Sequence, residues 1–187
     1  TLALADGANT LTASNVETIT GGTGADVITL GAAQTTGSIA LGAGADSLIL
    51  ASGANSLTLG ADIETIAGGT GADTIAFSAA VSGVVVSLGA GTDTLTLADG
   101  SNTLTATNVE TVTGGTGADA VTLGAAVTGA AVDLGAGADT LTLANGVNTV
   151  TATNIETVTG GTGNDTVTLG AAITAATVSL GVGTDVL

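Results

Sequence analysis

The stretch Gly21-Gly22-Thr23-Gly24-Ala25-Asp26-Val27-Ile28-Thr29-Leu30 returns three more times along the chain. It stands again as Gly68-Gly69-Thr70-Gly71-Ala72-Asp73-Thr74-Ile75-Ala76-Phe77, and then at residues 114–123 and 160–169. A looser form, Leu41-Gly42-Ala43-Gly44-Ala45-Asp46-Ser47-Leu48-Ile49-Leu50, lies between copies and returns at Leu88, Leu134 and Leu180. Asp26, Asp46, Asp73, Asp93, Asp119, Asp139, Asp165 and Asp185 therefore share one register. The first half of each copy is turn chemistry, because glycine reaches positive φ at no steric cost. The second half alternates polar and apolar residues with period two, which is the pattern of a strand with one buried face.

Working outward from this stretch, the phase-equivalent residues Thr1, Ser47, Thr94, Thr140 and Val186 are spaced by 46, 47, 46 and 46. A fixed period of that size is the signature of a solenoid. No 3.6-residue period competes with it, and Gly and β-branched residues weaken helices. The expectation is an all-β fold, a parallel β-solenoid of the β-roll or β-helix kind, with four superrepeats of about 46 residues. They run approximately over 1–46, 47–93, 94–139 and 140–185 of a single solenoid segment, 1–187. Residues 1–7 match 94–100, so the chain starts in mid-strand and reads as a window of a longer array.

The apolar rows name the core. Ile28, Leu48, Ile75, Leu95, Val121, Leu141 and Val167 should point inward, with Leu30, Leu50, Phe77, Leu97, Leu123, Leu143 and Leu169 beside them. Return strands follow at Val84–Leu88, Leu57–Leu59 and Leu104–Ala106, and turns at Asp6-Gly7, Asp99-Gly100 and Asn145-Gly146 should close the far edge. Alternation breaks at Asn15-Val16-Glu17-Thr18-Ile19 and its echoes, where apolar residues fall three apart; we read a bend or short third face there. Two layouts fit. The simpler and preferred one has coils of 20 and 26–27 residues with all eight aspartates on one edge. The other counts five strands per 46 residues, so that aspartate pairs alternate between edges.

Composition narrows the chemistry. The chain carries 16 acids and no Lys, Arg or His, for a net charge of −16. No side-chain salt bridge can form, so each carboxylate must face water, accept hydrogen bonds, or meet a cation from solution. That argues for a metal partner, and against nucleic acid and anionic membranes, which call for basic patches. No apolar run approaches a membrane span, and the absence of cysteine excludes a disulfide scaffold. Without His, Cys, Lys, Arg or Tyr, acid–base and nucleophilic catalysis would rest on carboxylates and hydroxyls alone. Eight equivalent positions offer no singular catalytic one, so the chain does not read as an enzyme.

The nonapeptide Gly-Gly-Thr-Gly-Ala-Asp-Val-Ile-Thr (21–29) fits the pattern G-G-x-G-x-D-x-U-x. The chain resembles the RTX, or hemolysin-type, calcium-binding repeat family of secreted bacterial proteins. Copies from Gly21, Gly68, Gly114 and Gly160 match fully; the other four lose the first Gly to Leu. The resemblance implies several Ca²⁺ ions held between stacked turns by the eight aspartate carboxylates. It also implies carbonyl donors near Gly22, Gly24, Gly69, Gly71, Gly115, Gly117, Gly161 and Gly163. Calcium takes six to eight oxygens in flexible geometry, which such a turn can supply. In the family, tandem nonapeptides are the norm, whereas here other sequence intervenes. Glu17, Glu64, Glu110 and Glu156 each stand four residues before a Gly-Gly pair, either as solvated strand-face charges or as further ligands.

The expected function is structural: a calcium-stiffened extracellular rod of a bacterial surface layer, filament or adhesin stalk. Export by a type I signal is implied by the resemblance, as are self-association and end-to-end or lateral contacts within a surface assembly. The alternatives are a binding module, for ice or a surface, through outward Thr rows, and an RTX folding module of an exported enzyme.

Overall fold

The computed structural model describes residues 1–171 and 175–187. Among them are twenty strands and no helix. Strands taken alternately along the chain fall into two ten-stranded sheets. Every pairing within each sheet is parallel. The chain thus winds as a parallel β-solenoid with one strand in each sheet per turn.

Between the sheets lies a core of aliphatic side chains stacked in register. Ile28 pairs with Leu48, and Leu48 with Ile66; all three are buried. The inward rows expected from the sequence are buried throughout, except that Leu169 is exposed at the last described turns. The lone aromatic residue, Phe77, is buried opposite Leu59. Facing sheets pack about 10 Å apart and stacked strands about 4.8 Å apart. A branched aliphatic side chain fills that gap from either side without needing a ring.

The preferred one-edge layout does not hold. The stretch read as a bend contains strands of its own: Thr18–Thr20, Thr65–Ala67, Thr111–Thr113 and Thr157–Thr159. One superrepeat therefore spans five strands, Val27–Leu30, Ser38–Ala40, Ser47–Ile49, Ser56–Leu59 and Thr65–Ala67. Five is odd, so Val27–Leu30 and its equivalent Thr74–Phe77 lie in opposite sheets. At three of the four places the corner is local. Asn15, Asn108 and Asn154 take φ of 56°, 52° and 51°, a left-handed conformation that Asn tolerates, whereas Asp62 precedes Thr65–Ala67 without a positive φ. A corner there lets Val109 and Val112, or Ile155 and Val158, both point inward despite their spacing of three.

The turns expected at the far edge are also placed elsewhere. Asp6-Gly7 stacks directly on the motif turn: Thr23 N–H donates to Asp6 Oδ1 at 3.1 Å and Gly7 N–H to Thr23 O. Thr116 N–H meets Asp99 Oδ1 at 2.9 Å and Thr162 N–H meets Asn145 Oδ1 at 3.0 Å. Every edge of the solenoid is thereby a column of similar turns.

Candidate metal centre

The two columns are built from the residue that ends each turn and starts the next strand. Asp26 and Asp46 precede strands of one sheet, Asp73 and Asp93 strands of the other. Asp119 and Asp139 return to the first edge, and Asp165 and Asp185 to the second. The eight aspartates form four pairs that alternate between edges. Seven of them are 0–1% exposed, and Asp185 is half-buried.

Each carboxylate reaches one layer back along its column. Asp46 Oδ1 accepts the Asp26 N–H at 2.7 Å, and the pairs Asp93/Asp73, Asp139/Asp119 and Asp185/Asp165 repeat this at 2.7, 2.7 and 2.9 Å. The glutamates extend the same ladder. Glu64, Glu110 and Glu156 accept the N–H of Asp46, Asp93 and Asp139 through Oε2 at 2.7, 2.7 and 2.8 Å. They are column members, one layer beyond three of the four aspartate pairs.

At the other end of each pair stands an asparagine, which the sequence reading missed. Asn9, Asn55, Asn102 and Asn148 donate their backbone N–H to Oδ1 of Asp26, Asp73, Asp119 and Asp165 at 2.8–3.0 Å. Asn102 Nδ2 also lies 2.9 Å from both Ala98 O and Gly100 O and 2.8 Å from Asp119 Oδ1. The amides of Asn9, Asn55 and Asn148 are surrounded in the same way. The signal was present in the chain: Ala-Asp-Gly-Ser-Asn at 98–102 stands 17 residues ahead of Gly-Thr-Gly-Ala-Asp at 115–119.

This asparagine turn shows what the aspartate turn lacks. The side chains are held alike, because Asn55 Oδ1 accepts the Gln34 N–H one layer back as each aspartate Oδ1 accepts its own. Aspartate Oδ2 therefore takes the place of asparagine Nδ2. In seven of the eight pair members, Asp26, Asp46, Asp73, Asp93, Asp119, Asp139 and Asp165, Oδ2 is buried with no hydrogen-bond partner. A Cβ added to Gly114 would sit 2.8 Å from Asp119 Oδ2, which places this atom against the start of its own turn. Gly24, Gly71, Gly117 and Gly163 stack against Gly7, Gly53, Gly100 and Gly146, whose carbonyls the asparagine amides bond. Gly22, Gly69, Gly115 and Gly161 each accept one N–H, from Ala43, Ala90, Ala136 and Val182 at 3.0 Å, which leaves a lone pair on each oxygen.

Where asparagine supplies protons to a ring of oxygens, aspartate supplies another oxygen and a charge. An isolated buried carboxylate is costly unless it is paired, and this chain has no cationic side chain to pair it. A hard cation satisfies such a set of carboxylate and carbonyl oxygens, so the residues present fit calcium. Among the described residues no three acidic side chains converge; the backbone must supply the remaining oxygens. Electrostatics point the same way. Burial pushes the Asp46 carboxyl above its ordinary range, opposed by the Asp26 N–H and reinforced by the charges of Asp26, Glu64 and Asp62. Burial likewise raises Asp93 and Asp139, with Asp73 and Glu110, and Asp119 and Glu156, as the charged neighbours.

The RTX calcium-binding nonapeptide repeat family matches the chain in four copies, over residues 12–33, 58–76, 85–104 and 150–172. These stretches take in Asp26, Asp73, Asp93 and Asp165. No curated protein and no solved structure matches the chain at a significant level. The chain thus carries RTX calcium-binding nonapeptide repeats, in four copies, on the glycine-rich turns of its parallel solenoid.

Proposed function

We propose that the chain is a calcium-stiffened structural rod of a bacterial cell-surface protein, forming part of a surface layer, an extracellular filament or an adhesin stalk. The observation that carries this reading is the set of seven buried oxygens of the register aspartates without a donor, in a chain of net charge −16 that has no Lys, Arg or His. Calcium supplies the missing positive charge. The eight register aspartates and the carbonyls of Gly22, Gly24, Gly69, Gly71, Gly115, Gly117, Gly161 and Gly163 are its ligands, completed by water. The repeats are typical of proteins exported by type I secretion, and export into a calcium-rich exterior is the step at which such a chain would fold. Contacts between copies, end to end or lateral, then build the assembly. No helix among the described residues is long and apolar enough to cross a membrane.

The alternative of a regular Thr-lined binding face finds less support. The outward rank Thr12, Thr29, Ile49, Ala67, Ser87, Thr107 is interrupted at its centre, and outward Thr also follows from strand preference alone.

Removing and restoring calcium tests the reading. The chelated chain should unfold at a much lower temperature, as followed by its β signal in circular dichroism and its hydrodynamic radius, and calcium should restore the midpoint. A chain whose unfolding midpoint at neutral pH is the same in chelator as in calcium would overturn it.

A further inference from the structure

A cavity of about 160 Å³ opens at the solenoid edge between the layers of Glu17 and Gln34, outside the nonapeptide register. It is lined by Asn15, Glu17, Ala33, Gln34, Thr35 and Thr36. Gln34 is the chain's one glutamine. It is only 7% exposed, yet neither its Oε1 nor its Nε2 has a hydrogen-bond partner. A buried amide without partners loses its hydrogen bonds to water and gains none in return, so its presence calls for an occupant.

Comparison along the chain makes the residue stand out. The same place in the next two superrepeats holds Val81 and Val127, and Val81 is buried among the core residues. There the strands Ser82–Ser87 and Thr128–Asp133 start early, through bulges at Gly83 and Gly129 with φ of 72° and 75°. In the first superrepeat the strand is only Ser38–Ala40, and the backbone ahead of it opens the cavity instead. Gln34 still keeps its column place: its N–H donates to Asn55 Oδ1 at 3.1 Å and its carbonyl accepts the Ser56 N–H at 2.6 Å. Glu17 stands one layer behind, its carbonyl accepting the Ser38 N–H at 2.8 Å.

We propose that Glu17, the Gln34 and Asn15 carboxamides and the Thr35 and Thr36 hydroxyls form a further binding site for a hard divalent cation, calcium. The lining offers one carboxylate, two carboxamide oxygens and two hydroxyls. It has no cationic group to hold an anion and no aromatic ring to stack on a sugar or base. Mixed neutral and charged oxygens of this kind suit calcium better than smaller ions that demand rigid octahedra. At roughly 30 Å³ per water the cavity has room for about five waters, so the ion keeps part of its hydration shell. A single carboxylate makes the site weak, with a dissociation constant on the order of 10⁻⁴–10⁻³ M.

The test uses the full chain and calcium alone. Equilibrium dialysis carried to millimolar calcium should count one ion fewer for Gln34→Val and for Glu17→Gln, with the tighter sites unchanged. Gln34→Val installs the residue that two other superrepeats carry, so it should fold. In the unsubstituted chain the side-chain amide resonance of Gln34 should move in the millimolar range, after the tight sites are filled; in Glu17→Gln it should stay still. An unchanged ion count in Gln34→Val, or a stationary amide resonance in the unsubstituted chain, would leave the cavity to water and overturn the proposal. Failure of the aspartate columns would look different: no tight binding in any of the three proteins.

Discussion

One atom separates the two kinds of turn in this solenoid. Asn102 Nδ2 and Asp119 Oδ2 hold equivalent places, the first bonded to carbonyls and the second without a partner. The substitution Asp119→Asn should therefore have opposite effects with and without calcium. In the calcium-stripped chain it removes a buried charge and lets an amide reach the carbonyls of Gly115 and Gly117. It should raise stability there by about 1–3 kcal/mol. In calcium it deletes a ligand, and the midpoint of thermal unfolding should drop below that of the unsubstituted chain. Thermal unfolding of both proteins in both conditions checks this, and a variant less stable in both would discount the equivalence. The raised Asp46, Asp93 and Asp139 carboxyls give a pH dependence of definite sign. A raised native pKa means that the folded state binds more protons than the unfolded one between 3.8 and the raised value. The calcium-stripped chain should gain stability as pH falls from neutrality through that window, and lose it again as pH returns. Calorimetry of the stripped chain across that range should show the rise; a monotonic loss on acidification would contradict it.

At the scale of turns and strands, stacking is so close that the glycines have two separable roles. Gly71 has φ 112°, and a Cβ there would lie 2.6 Å from the carbonyl carbon of Gly53 in the neighbouring layer. Gly129 has φ 75° with open space around it. Gly129→Ala should cost only the conformational term, about 1–2 kcal/mol, whereas Gly71→Ala should cost clearly more, since backbone must move. Denaturant midpoints in saturating calcium measure both, and equal losses would show that layer contact is not limiting. These elements also mark what the chain made legible. Period-two alternation after each aspartate named Ile28, Leu48, Ile75 and Leu95 as core, because burial on one face of a strand leaves its trace in every second residue. The aspartate register was equally plain. The strand at Thr18–Thr20 was not, because a three-residue strand carries one inward residue, Ile19, and cannot display a period. Whether a corner or a bend precedes it depends on the left-handed φ of Asn15, a property of the fold as much as of the residue. The asparagine columns were hidden for another reason: Asn in Ala-Asp-Gly-Ala-Asn reads as turn chemistry, and only stacking puts it over Asp26.

For the whole molecule, the odd number of strands per superrepeat decides how the charges communicate. Paired aspartates one layer apart, at about 4.8 Å, repel by about 3–4 kcal/mol at an effective dielectric of 20. Asp26 and Asp46 meet in this way through the 2.7 Å hydrogen bond along their column. Asp46 and Asp73 are the next two aspartates of the register, but the chain carries them to strands of opposite sheets. Repeat solenoids transmit stability mainly between neighbouring layers, so coupling should follow the column and not the sequence. In a double-mutant cycle on the calcium-stripped chain, Asp26→Asn and Asp46→Asn should show an interaction of about 0.5–3 kcal/mol, whereas Asp46→Asn and Asp73→Asn should add within about 0.5 kcal/mol. The same contrast should appear in calcium, where loss of one ligand in a column weakens the site of its partner and leaves the opposite edge as it was. A coupling between Asp46 and Asp73 as large as that between Asp26 and Asp46 would put both pairs in one column, and the alternating arrangement of the two edges would have to be abandoned.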